Sequence, residues 1–187
     1  RKANSWFTMS ETPAQLASYY DGLAANILNY VWRTNDIVYL GGAPRGRPGG
    51  QYFPIPMWEK NGSRDAFRFF IHEATGGSDH IVFTNSSVAV PAIEFFTWPD
   101  QWYHADSDTP DKGDPTEMRR VAFIGATSAW VSANLEDAWV GDLIRVVSDF
   151  GFNRVAERGI PKALEILEEN AGGDRAAAAA LAVKVVE

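Results

Sequence analysis

Residues 88–104 read Val88-Ala89-Val90-Pro91-Ala92-Ile93-Glu94-Phe95-Phe96-Thr97-Trp98-Pro99-Asp100-Gln101-Trp102-Tyr103-His104. The stretch 88–98 is apolar almost throughout and predicts a strand buried on both faces, as the central strands of α/β sheets are. Such a strand delivers the following loop to the carboxyl edge of a sheet, where α/β folds keep their sites. That loop carries Tyr103-His104 and then an acidic, proline-stopped turn, Ala105-Asp106-Ser107-Asp108-Thr109-Pro110-Asp111-Lys112. Imidazole is the commonest side-chain metal ligand, and a neighbouring phenol can polarise a carbonyl. The chain has three histidines, so one in so polar a loop stands out.

Working outward, Asp114-Pro115-Thr116-Glu117 is a helix start, with Asp114 as cap, Pro115 in the first position and Glu117 in the third. Met118, Val121, Ala122, Gly125 and Ala129 then predict the buried face of a helix reaching about Asn134. Upstream, residues 66–74 predict a strand with Phe67, Phe69 and Ile71 on one face, Gly76-Gly77-Ser78 a turn, and residues 79–85 a short helix. Ser5-Trp6-Phe7-Thr8-Met9 predicts a strand by its aromatic and β-branched content. Thr12 as N-cap and Pro13 at the first helical position then open a helix through about Trp32, carried by Leu16, Tyr20, Leu23, Ile27 and Val31. Residues 34–64, rich in Gly and Pro and locally basic at Arg33, Arg45, Arg47 and Arg64, predict a long connection. It reads either as a solvated surface loop or as a wall that meets a substrate carboxylate or a partner. From Leu135 onward the pattern is helical only: a stripe at Trp139, Leu143, Val146, Val147 and Phe150, a break at Gly159-Ile160-Pro161, a short turn with Leu164, Ile166 and Leu167, and an Ala-rich tail. The chain divides into an α/β unit over 1–134 and a helical extension over 135–187.

The 187 residues are 45% hydrophobic and 22% charged, ordinary values for a folded domain. The net charge of −7 gives no general pull on phosphate backbones, so nucleic acid is not an expected partner. No apolar run approaches the ~18–20 residues of a membrane span. With no cysteine, any metal would be held by histidine and carboxylates. The chain starts at Arg1-Lys2 without an initiator Met, which reads as a point inside a longer precursor or as a cut edge.

Two readings stand for His104: a loop histidine hydrogen-bonded to a neighbouring carboxylate, or a metal ligand whose ring Asp106 and Asp108 orient. Asp79 either caps the short helix or points with His80 into the same cleft as His104. His72, midway along an apolar strand, reads as structural. Asn61-Gly62-Ser63 and Asn85-Ser86-Ser87 match the glycosylation sequon, a pattern common by chance.

Taken in order, Gly-Gly-Ser-Asp-His-x-x-Phe (76–83), Val-Pro-Ala (90–92), Trp-Tyr-His (102–104), Asp-Thr-Pro-Asp-Lys (108–112) and Asp-Pro (114–115) before a helix form a series. That series resembles the carboxyl-terminal half of the catalytic domain of co-catalytic di-zinc aminopeptidases. This is metallopeptidase family twenty-eight, which also holds glutamate carboxypeptidase-like enzymes and is related to the glutaminyl cyclases. The resemblance covers roughly 1–134 and is specific over 76–118. It implies part of a mixed, mainly parallel sheet flanked by helices, and peptide-bond hydrolysis by metal-activated water. It further implies that His104 is a zinc ligand, that Tyr103 stabilises the oxyanion, and that Asp79 and His80 line the pocket. Two zinc ions are implied for the full-length parent. Family members often carry Thr where this chain has Ala105.

The family's earlier His-x-Asp segment, bridging Asp, Glu-Glu pair and further Asp ligand all precede the matched part. The one His-x-Asp here is His104-Ala105-Asp106, inside the Tyr-His loop, and the one Glu-Glu pair, Glu168-Glu169, lies in the helical extension. Catalytic zinc keeps about three protein ligands and a water, with a carboxylate as base. A single imidazole does not meet that need, so this chain alone is expected to be inactive. Expected partners are a peptide substrate, the missing amino-terminal half, and a second copy meeting exposed strand edges. Export to the periplasm or outside the cell follows from the resemblance. Two other readings remain: a non-catalytic binding or scaffolding module that kept the fold, and an acyltransferase like glutaminyl cyclase, disfavoured because those enzymes typically have Trp where this chain has Tyr103.

Overall fold

The computed structural model describes residues 5–16, 18–39 and 57–186, the side chains of 34–39 excepted. Three strands, β1 (Trp6–Ser10), β2 (Phe69–His72) and β3 (Glu94–Trp98), form one mixed sheet in the order β2-β1-β3. β1 runs parallel to β2, with Phe7 opposite Phe69 and Met9 opposite Ile71. It runs antiparallel to β3, with Met9 opposite Phe95 and Trp6 opposite Trp98. The expectation of a mixed sheet with helices holds, with one parallel and one antiparallel pair.

Alternation along the strands divides the sheet into two unlike faces. Phe7 and Met9 are buried on the inner face, where Phe69, Ile71 and Phe95 pack with them against α1 (Tyr19–Tyr39) and α3 (Pro115–Ala133). Burying side chains of this size stabilises by about 1.5–3 kcal/mol each. The outer face carries Trp6, Phe70 and Trp98, each roughly half exposed. The expected strand over 88–98 is therefore corrected: it pairs only from Glu94, forms an edge among the described strands, and is partly covered on one face, at Phe95. Its outward residues Glu94, Phe96 and Trp98 alternate with the inward Phe95.

The start of α1 also departs from expectation. Pro13 leads a 3-10 turn, Ala14–Leu16, and the helix begins at Tyr19. The Thr12 hydroxyl and backbone N–H both donate to the buried Asp21 carboxylate, so Thr12 is drawn to the helix's first turn from outside. Ser18 accepts from Tyr20 N and takes the capping role instead. At its far end α1 continues to Tyr39, into the stretch read as a loop, while residues 40–56, with Arg45 and Arg47, lie outside the described residues.

α3 starts as expected, with Asp114 accepting from Thr116 N and Pro115 in the first turn. Of the expected buried face, Val121 packs against the core, but the rest does not hold. Thr116, Glu117, Arg120, Ile124 and Ser128 face inward, while Met118 is 67% exposed and Ala122 and Ala129 face outward. The cause is polar. The fully buried Arg120 donates to Glu117 Oε2 at 2.9 Å and to the Asp65 carbonyl at 2.8 Å, with its guanidinium 5.4 Å over the Phe67 ring. A hydrophobicity pattern cannot register a buried ion pair that turns the helix.

α4 (Val140–Arg154) lays Leu143, Val147 and Phe150 toward α1, where the absent side chain of Gly22 admits the Val147 backbone. The break expected at Gly159-Ile160-Pro161 is not a stop. A π-helical turn, Val155–Gly159, carries the rotation into α5 (Ile160–Glu169). The wider turn accommodates Pro161, whose missing N–H and ring would interrupt regular α-helix. α5 and α6 (Arg175–Val186) pair as a hairpin around Ala163, Ile166 and Ala182. Arg158 on the π turn donates to Glu11 Oε1 at 2.8 Å and to the Ile71 carbonyl at 3.1 Å, fixing this run to the ends of β1 and β2. Among the described residues no helix is long and apolar enough to cross a membrane.

Candidate functional site

The loop after β3 is built from short turns that the sequence itself supplies. Asp100 Oδ1 accepts from Trp102 N at 2.9 Å, an Asx turn after Pro99. Ala105 N then donates to the Trp102 carbonyl and Asp108 N to the Ala105 carbonyl. Ser5 Oγ donates to the Pro99 carbonyl, tethering the start of the loop to the start of β1. His104 sits at the crest with φ 57°, in the left-handed region. That region is uncommon for a residue with a side chain, costs roughly 1–2 kcal/mol, and clusters at functional sites.

Tyr103 and His104 stack face to face, with ring centroids 3.9 Å apart and 19° between planes. Tyr103 and Trp98 make a T-shaped contact, with ring centroids 5.9 Å apart. Both Tyr103 and His104 are solvent-exposed. Among the described residues no hydrogen bond or ion pair joins His104 to Asp106 or Asp108, so the ring is oriented by its neighbour's π face and not by those carboxylates. Asp106 is exposed, and Asp108 lines a recess of about 460 Å³ with Trp102, Lys112 and Met118. Asp111, at the foot of the loop, is held down to about 2 by the Lys112 ammonium and then by the Thr109 hydroxyl.

The loop follows the carboxyl end of β3, but this is not the expected carboxyl edge of the sheet. Because β3 runs antiparallel, the loop's edge carries the amino ends of β1 and β2, with Trp98 beside Trp6. The Gly76-Gly77 turn follows the carboxyl end of β2, at the opposite edge. The two segments still meet one groove, of about 940 Å³, that runs along the outer face of the sheet. Gly76, Gly77 and Thr75 close it at one end, and Asp100 and Tyr103 at the other. Gly77 adopts φ 119°, which glycine alone takes without strain.

His80 and Asp79 do not converge on His104. Asp79 precedes α2 (His80–Thr84) and gives it no side-chain cap. The His80 ring is 9% exposed, its Nε2 lies 2.9 Å from the Thr75 carbonyl, and its Nδ1 lies 3.8 Å from Glu94 Oε2. A carbonyl only accepts, so Nε2 donates; Nδ1 is buried without a hydrogen-bond partner. His72 hydrogen-bonds the Glu73 carbonyl from Nδ1 and stacks edge-on with Phe70.

Glu94 is the residue the sequence reading passed over. Treating 88–98 as buried on both faces hid it, although period-2 alternation in Glu94-Phe95-Phe96-Thr97-Trp98 sets Glu94 on the side opposite Phe95. As a zinc site the arrangement is incomplete. Among the described residues no three His, Asp or Glu side chains group closely enough to hold a metal ion. Catalytic zinc takes about three protein ligands, so the donors present here do not fit that ion by themselves.

No curated protein and no solved structure matches the chain. The series drawn from the sequence, from the Gly-Gly turn through the Tyr-His loop to the capped start of α3, falls inside one matched interval. Residues 59–129 match the model of Peptidase family M28, a family of hydrolases whose members are typically zinc-dependent, and this supports a peptidase-family origin for the chain.

Proposed function

We propose that this chain is the carboxyl-terminal portion of the catalytic domain of a zinc-dependent, aminopeptidase-like exopeptidase. In this reading His104 supplies one metal ligand and Tyr103 steadies the oxyanion of the peptide carbonyl. Asp79, His80, Asp106 and Asp108 belong to the surrounding pocket in the intact parent. The remaining ligands and the general base come from the missing amino-terminal half, and the chain alone does not turn over peptide. The proposed location is periplasmic or extracellular.

The observation that carries the reading is the Tyr-His crest inside the matched interval. A histidine held at positive φ, stacked on its tyrosine and open to solvent, is a costly arrangement with no packing role in the described fold. The open edges of β2 and β3 suit pairing with further strands, from the missing half or from a second copy.

The test joins calorimetry with kinetics. Titration of this chain with zinc is expected to show no tight site, and aminoacyl-nitroanilides no turnover. Adding the amino-terminal half in trans is expected to restore both, and His104→Ala in the restored pair to abolish them. Tight zinc binding and turnover by this chain alone overturn the inert half of the proposal; a restored pair indifferent to His104→Ala overturns the site assignment.

A further inference from the structure

The outer face of the sheet is laid out in rows. Trp98 and Trp6 lie side by side, Phe96 and Phe70 flank Thr8, and Glu94 ends the last row beside Ser10 and His72. Trp6, Phe70 and Trp98 are 46, 54 and 53% exposed, so aromatic surface is open to a ligand. The charged residues lining this groove are Glu94 near one end and Asp100 near the other, with no lysine or arginine among its described lining. Behind Glu94, the buried His80 Nδ1 lies 3.8 Å from the carboxylate, too far for a hydrogen bond. The groove is therefore an aromatic floor with an acidic side chain near each end.

We infer that this groove binds an extended peptide segment that places a lysine or arginine against Glu94 and an apolar side chain on the tryptophan pair. Aromatic faces attract cations through their quadrupole, and an acidic rim adds to it. A peptide fits better than a small amine on size. A five-residue strand floor is about 14 Å long and three strands are about 10 Å wide, room for roughly four extended residues. The choice of a peptide as occupant rests on the peptidase reading; the choice of a basic one rests on the groove alone.

The experiment uses the full 187-residue chain and dye-labelled tetrapeptides with both ends blocked, so that no terminal amine takes part. Fluorescence anisotropy compares alanine-phenylalanine-lysine-alanine with the same peptide carrying glutamine or glutamate in place of lysine. The lysine peptide is expected to bind about 10-fold more tightly than the glutamine peptide, and the glutamate peptide more weakly still. Glu94→Gln is expected to remove most of that preference and Trp98→Leu to weaken all three peptides. Asp100→Asn serves as a second mild variant, with circular dichroism confirming the fold of each. Equal affinity for lysine and glutamine peptides, or a preference untouched by both acid variants, overturns the inference. A dimer in light scattering that Trp98→Glu dissociates assigns the face to a second copy and overturns it equally. Because the readout is binding without zinc or turnover, its failure is separate from failure of the proposed hydrolase.

Discussion

Replacing Asp114 with alanine is expected to cost more than the loss of an ordinary helix cap. The carboxylate accepts from Thr116 N at 3.0 Å, from Ser63 N at 2.9 Å and from the Ser63 hydroxyl, and only 9% of the residue is exposed. Losing a cap costs about 1 kcal/mol, and hydrogen bonds to a charged group are worth about 1.5–3 kcal/mol, part of which water recovers. The expected total is about 2–4 kcal/mol, or a fall in Tm of very roughly 6–12 °C for a chain this long. Urea unfolding followed by circular dichroism should show a lower midpoint at unchanged slope. Asp114→Asn should fall between, since its amide keeps one acceptor oxygen but turns two donors toward Ser63 or Thr116.

The pH dependence carries a sign. Burial by itself raises the Asp114 carboxyl, but the Ser63 hydroxyl, Ser63 N and Thr116 N together outweigh it and hold the group below its ordinary 3.8. A depressed native value means the stabilisation is complete above the unfolded value and fades as the pH falls from about 4 through the native one. The gap between wild type and Asp114→Ala should therefore narrow in that acid window. An alanine variant within about 0.5 kcal/mol of wild type at pH 7, or a gap that widens on acidification, refutes the reasoning.

Glu117→Gln removes the charge that faces the fully buried Arg120 at 2.9 Å, and is expected to destabilise by about 3 kcal/mol in the same urea assay, since weakening a buried ion pair is costly. Gly22→Leu drives a side chain at the Val147 backbone, where even a Cβ comes to 3.0 Å; it is expected to cost about 1–3 kcal/mol and to raise amide exchange in α4 before the sheet loosens.

Much of this fold was legible because local chemistry and final position agree. The cap at Asp114, the aromatic strand at the start and the α4 stripe each act through neighbours that the spacing already specifies. The misreadings share a different cause. α3 turned because Arg120 and Glu117 satisfy each other inside, and β3 lost one covered face because nothing in 88–98 tells a buried run from an exposed aromatic one. Thr12 lost its capping role to a carboxylate nine residues on. At the candidate site, Tyr103 and His104 stood out by residue type, whereas Glu94 stands out only when the strand is read as alternating rather than covered on both faces.

The uninterrupted coil from Val140 to Glu169 has a mechanical meaning. A proline hinge would leave the closing hairpin dangling; here α5 continues α4 as a single shaft of about 45 Å contour length, with α6 folded back on it, clamped near its middle where Arg158 grips Glu11 and the Ile71 carbonyl. Anything pulling on the outer hairpin is thereby levered onto the rim where the two parallel strands end.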